Sequence, residues 1–187
     1  MKPKIDGLMI AALALIIFLS TSLISDVATA SSLQPATASQ LIPQETEAVQ
    51  NDPAAFGAPY LSYIITQGPH GFSYGQMAVD LAAGEEETIL SPISGVVTEN
   101  YTDVYGNPTL VIENDVYRVT LLHGNYFVTI TQSVAIGEPI GSESNHGYTT
   151  DMAGNLCWGR SGCGFHTHLN VFDKRQGINV NPLDLLP

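Results

Sequence analysis

Alternation of apolar and polar positions dominates the chain from about residue 58 onward. Short runs rich in Val, Ile, Thr and Tyr recur between clusters of Gly, Pro, Asn and Asp, and no stretch there keeps a helical period for three turns. The pattern predicts strands over 60–66, 77–82, 95–101, 109–113, 117–123, 127–131 and 166–172. The clearest hairpin joins TLVIE to YRVTLL across Asn114-Asp115. The predicted fold class is all-β, with mostly antiparallel sheets forming a sandwich or a partly open barrel. No internal repeat at a fixed period is visible.

The N-terminal part reads differently. Lys2 and Lys4 precede an apolar run over 8–19, and Ala28-Thr29-Ala30 supplies small residues of the kind a signal peptidase reads, so 1–30 is expected to be a signal peptide or an N-terminal anchor. If uncleaved, the apolar-leaning stretch 8–24 is at the lower limit of a membrane span and would tether the chain. Residues 31–57 are rich in Ser, Ala, Gln, Pro and Glu, with Phe56 as the one aromatic, and are expected to be a flexible linker. Residues 58–187 have the length of one domain with a single core.

Charge narrows the partners. The chain carries 18 acidic against 6 basic residues, a formal net charge of −12, and its one adjacent basic pair is Lys174-Arg175. Displacing counterions from a polyanion needs clustered Lys and Arg, so nucleic acid is not expected as a partner. Glu85-Glu86-Glu87 is read as a solvated turn between strands. Cys157 and Cys163, six apart in LCWGRSGCG, are expected to form a local disulfide in an exported chain, because zinc thiolate pairs usually stand closer together and bring further Cys or His.

Candidate chemistry lies in the histidines. His166 and His168 flank one residue of a predicted strand, so both project from the same face with Cβ atoms roughly 7 Å apart. Asp80 interrupts the apolar strand MAVDLA, where a carboxylate is costly to bury unless it is paired or bound to a metal. His123 ends VTLLHG and is expected at a sheet rim, and His146 is expected at a loop surface.

The order of GQMAVDLA, SPISGVV, YRVTLLHG, VAIGEPIGSE, GCGFHTHLNVF and NVNPL resembles the lysostaphin/LytM-type zinc metallopeptidases over about residues 60–182. That resemblance implies the family's β fold, one zinc ion held by two histidines and an aspartate, two further histidines at the scissile peptide, and a peptide or peptidoglycan-like substrate. Carried over by position, it makes Asp80 and His168 zinc ligands and His123 and His166 catalytic, with His166 as general base and His123 serving the oxyanion or the leaving amine. No soluble organic cofactor is implied.

One position departs from the family. Its first ligand is a histidine four residues before the aspartate, or somewhat further back in a Phe-Ser-His segment; here those places hold Gln76 and Tyr74. A Gln offers only a neutral carbonyl oxygen, and a Tyr must first lose a proton. Strand parity would put both on the face of Asp80. His70 reads either as a loop residue flanked by Pro69 and Gly71 or as the candidate third ligand. Ten residues of extended chain span roughly 33 Å, so Gly71 and Gly75 must turn the segment back.

Two functions follow: a secreted zinc-dependent metalloendopeptidase, or a degenerate domain of the same fold that binds a peptide, cell-wall strand or partner protein without cutting it. A lipoyl-type carrier is disfavoured because its attachment lysine would have to be Lys174, past the histidine strand. A cupin is disfavoured because no Glu follows the His-Thr-His triplet closely.

Overall fold

The computed structural model describes residues 52–187. The expected signal or anchor segment and most of the expected linker lie outside the described residues. Among the described residues no helix is long and apolar enough to cross a membrane. At the linker's end, residues 52–57 rest on the domain: Ala54 and Phe56 pack against the core, and the Phe56 ring meets Tyr117 edge-on at 5.7 Å.

Among the described residues eleven strands form, in keeping with the alternation: β1 (Ile64–His70), β2 (Ala78–Ala82), β3 (Thr88–Leu90), β4 (Gly95–Thr102), β5 (Pro108–Glu113), β6 (Tyr117–Leu122), β7 (Asn125–Tyr126), β8 (Ser133–Val134), β9 (Pro139–Ser142), β10 (Thr167–Asp173) and β11 (Ile178–Val180). One sheet runs β1-β2-β10-β6-β5-β4-β8, and β11 continues along the edge of β10 beyond β2. A small sheet, β3-β9-β7, packs on it. Every pairing is antiparallel.

Period-two alternation assigns the two faces of the large sheet. Val79 and Leu81 of β2, Val119 and Leu121 of β6, and Leu169 and Val171 of β10 are completely buried against Ile89, Ile93 and Ile140. Asp80, Thr120, His168 and Asn170 occupy the intervening positions and therefore point to the opposite face. Stability and chemistry are thus separated by residue parity.

The first predicted strand lies later than its pattern suggested, over Ile64–His70 rather than 60–66. It is an edge strand, where Pro69 is tolerated because its missing N–H costs no ladder bond. The expected strand over 127–131 does not form. Thr129 N–H donates to the Gln132 side chain, Gln132 N–H donates to Thr129 O, and Thr131 sits at φ 75°, so local turn chemistry outweighs the β-branched composition. Strands β3, β7, β8, β9 and β11 are too short for their alternation to register.

Asp173 locks the turn between β10 and β11. Its carboxylate accepts hydrogen bonds from Arg175 N (2.9 Å), Nε (3.1 Å) and Nη2 (2.7 Å) and from Gln176 Nε2 (3.0 Å). The Arg175 bonds, against an opposing push from burial, hold the carboxyl well below the usual carboxylate range. A depressed folded-state pKa adds stability above the unfolded pKa, and that stability is lost as pH falls through the folded value. Asp173→Asn should lower the melting temperature at neutral pH, and the gap to wild type should close as pH drops below about 3; thermal denaturation across that range checks it.

Candidate metal centre

Strand register assembles the site. In the β2–β10 pairing, His168 lies directly opposite Asp80, and in the β1–β2 pairing His70 lies opposite Ala78, two positions along β2 from Asp80. The turn back that His70 requires is made by a single 3₁₀ turn, Phe72–Tyr74, bracketed by Gly71 at φ 86° and Gly75 at φ 80°. A side chain at either glycine would be strained in this left-handed conformation. His70 is accordingly not a loop residue but the last residue of an edge strand, aimed at Asp80.

Three donor atoms converge. His70 Nε2 lies 3.2 Å from His168 Nδ1 and 3.5 Å from Asp80 Oδ1, and His168 Nδ1 lies 3.1 Å from the same oxygen. Each ring's other nitrogen is already engaged. His70 Nδ1 donates to Gly68 O at 3.0 Å, and His168 Nε2 donates to Gln76 Oε1 at 2.8 Å. With neutral rings, two imidazole lone pairs and a carboxylate oxygen then face one another with no proton between them. Such a cluster is repulsive unless a cation is shared. Tetrahedral ligands about 2.0–2.2 Å from zinc stand about 3.3–3.6 Å apart, so His70, Asp80 and His168, at 3.1–3.5 Å, are spaced as residues that would hold one zinc ion.

Gln76 therefore does something other than replace a ligand. It precedes β2 rather than lying in it, so strand parity does not govern its direction, and its amide oxygen fixes the ring of His168 from outside the cluster. Tyr74 sits in the 3₁₀ turn, and burial together with Asp80 pushes its hydroxyl up, away from the phenolate that could ligate. For Asp80, burial pushes the carboxyl up. The adjoining His168 ring, with His166 and His70 beside it, outweighs burial and keeps the group low.

His123 and His166 form a second pair beside these three, with ring centroids 4.7 Å apart. His166 immediately precedes β10, and its Nε2 lies 3.7 Å from Asp80 Oδ2. His123 lies just past β6, buried, at φ 72°. Both rings are held from behind: His123 Nδ1 donates to His146 O and His166 Nδ1 donates to Gly164 O, each at 2.8 Å. Both Nε2 atoms consequently carry a free lone pair. Burial, then His166, pushes the His123 imidazole down to about 4, against the opposing pull of the His146 carbonyl.

His146 contributes its backbone, while its ring lies half-buried 6.0 Å from that of Trp158. The roles of the two carbonyls and of Gln76 left no mark in the sequence, because they depend on contacts across loops. Cys157 and Cys163 are disulfide-bonded. An open groove of about 300 Å³, lined by Tyr74, Gln76, Tyr101, Arg118, Asn170 and Phe172, runs over the sheet beside the cluster.

No protein-family model and no curated protein matches the chain. Solved structures do. A zinc-containing peptidase from Vibrio cholerae is 25% identical over 68% of this chain and 39% of its own, with a TM-score of 0.52. The domain has the lysostaphin/LytM-type peptidase fold. The SpoIIQ–SpoIIIAH pore-forming complex matches at 17% identity over 71% of this chain and 90% of that one, with a TM-score of 0.52. Lysostaphin from Staphylococcus simulans matches at 19% identity over 65% and 48% of the two chains, with a TM-score of 0.48. The chain spans 34%, 39% and 48% of the length of three of the solved chains it matches.

The low value for His123 has a measurable consequence. The native ring stays neutral between about 4 and the unfolded value near 6.5, where the unfolded state binds the extra proton, so stability falls as pH drops through that window. By linkage the full loss is about 3 kcal/mol. Urea unfolding at pH 7 and at pH 4 should show wild type losing more stability than His123→Gln, by up to that amount. Equal losses would contradict it.

Proposed function

We propose that this chain is an exported zinc-dependent metalloendopeptidase that hydrolyses peptide bonds in cell-wall peptides. The observation that carries the reading is the convergence of His70, Asp80 and His168 as unprotonated donors 3.1–3.5 Å apart, next to two imidazoles with free Nε2 atoms. Similarity in fold to a zinc-containing peptidase supports it, and the disulfide is in keeping with export.

A zinc ion held by these three residues supplies Lewis acidity to the scissile carbonyl and to water. The chain's own residues do the rest. His166, the more open of the pair, takes the proton of the attacking water on Nε2. His123 receives a proton only transiently, since its imidazole is held down to about 4, and for that reason gives it up readily to the leaving amine. Asp80 Oδ2 faces His166 Nε2 and steadies the positive charge that ring acquires. The groove beside the site takes an extended peptide lengthwise.

Metal analysis of the purified chain should give about one zinc per chain. His70→Ala should lose it, whereas His166→Ala should keep it while lowering kcat/KM on glycine-containing peptides by about 10²–10⁴-fold. Full zinc retention in His70→Ala would refute the ligand assignment. A wild type with no zinc and no turnover would instead leave the binding-domain alternative. Gln76→Ala should weaken zinc affinity by about 10–100-fold, the usual cost of removing a group that orients a ligand, as read by competition with a chelator.

A further inference from the structure

The segment between the two imidazole-holding carbonyls is not an ordinary loop. His146 follows Asn145 directly, and Gly164 follows Cys163 directly. Between them the chain is closed on itself by the Cys157–Cys163 disulfide. Asn145 is buried, and the two hydrogens of its side-chain amide nitrogen are shared among Cys157 O (2.8 Å), Arg160 O (2.8 Å) and Cys163 O (2.9 Å), while its Oδ1 accepts from Gly159 N at 3.3 Å. One side chain thus pins the closed ring at four points. Gly164, at φ 66°, lies so close to the disulfide that a Cβ there would stand 2.7 Å from Cys157 Cβ. The metal ligands are set by other means: strand register, Gly68 O and Gln76.

We infer that Asn145 is a positioning residue for the His123–His166 pair, acting through the disulfide-closed ring, so that opening the ring unseats both imidazoles while the three metal ligands stay in place. The inference rests on the peptidase reading for its catalytic meaning, though not for its geometry. Reduction by a dithiol supplies two electrons and two protons: the S–S bond breaks, Cys157 and Cys163 become thiols, and the reductant leaves as its own disulfide. His146 O and Gly164 O then lose their fixed positions. Each imidazole is free to carry its proton on Nε2, the nitrogen that must stay bare to accept one. The pair would be active in an oxidising compartment and idle in a reducing one.

The test uses the zinc-loaded full chain, oxidised and after reduction by a dithiol, and the oxidised Asn145→Asp variant. That variant keeps the acceptor for Gly159 N–H but replaces the amide donor with a carboxylate facing three carbonyls. Nitrogen-15 NMR of the histidines should show His123 and His166 protonated on Nδ1 in the oxidised wild type. A growing Nε2-protonated share should appear on reduction and in the variant. Turnover should fall about 10–100-fold, the scale of a small misplacement of reacting groups, with KM changed by less than about twofold and zinc still near one per chain. Unchanged tautomers after confirmed thiol formation would overturn the inference, and so would loss of zinc on reduction. An oxidised wild type that holds zinc and cuts no peptide would sink the peptidase reading instead, and the tautomer measurement would still decide this one.

Discussion

The pairing register between β2 and β10 is the constraint on which the rest of the site depends. It sets His168 opposite Asp80, and on the other edge of β2 the pairing with β1 sets His70 opposite Ala78, two residues away. A slip of one residue on either strand would turn the carboxylate or the imidazole into the core and bring Val79 or Leu169 out to the groove. Burial of those two completely shielded side chains therefore opposes any slip. The apolar face fixes the register, and the register fixes the donor cluster.

Around that cluster the structure uses backbone carbonyls to choose tautomers. Gly68 O, His146 O and Gly164 O each accept from an imidazole Nδ1, and Gln76 takes the remaining His168 nitrogen. The consequence is directional: four rings present unprotonated nitrogens toward Asp80 or toward each other. Electrostatics then divides the four into two sets. Proximity to Asp80 suits His70 and His168, together with that carboxylate, to a cation, while burial keeps His123 neutral.

Much of this was legible along the chain. Parity in HTH placed His166 and His168 on a common face, the cost of burying a carboxylate in MAVDLA singled out Asp80, and the six-residue spacing of Cys157 and Cys163 in an exported chain pointed to the disulfide. The Gly71 and Gly75 requirement for bringing His70 back is met by two left-handed glycines. Less was visible where elements are short or local. Segment 127–131 carries β-forming residues yet turns, because a single Gln132 side chain captures the Thr129 amide. His70 looked like a loop residue beside Pro69, since edge-strand status is a property of the sheet and not of the dipeptide.

By itself, then, the sequence determined what alternation and residue chemistry can carry: an antiparallel β domain, a polar face opposed to an apolar one, and the set of donors available to a metal. The tertiary structure alone decided which donors meet and which nitrogen each offers. Distances of 3.1–3.5 Å among residues as far as 98 positions apart arise from register and turn geometry. A ring's tautomer depends on whichever carbonyl the fold brings behind it. Gln76 shows the difference most clearly. Sequence position marks it as a missing ligand, whereas its place in space, 2.8 Å behind His168, makes it the support of one that is present.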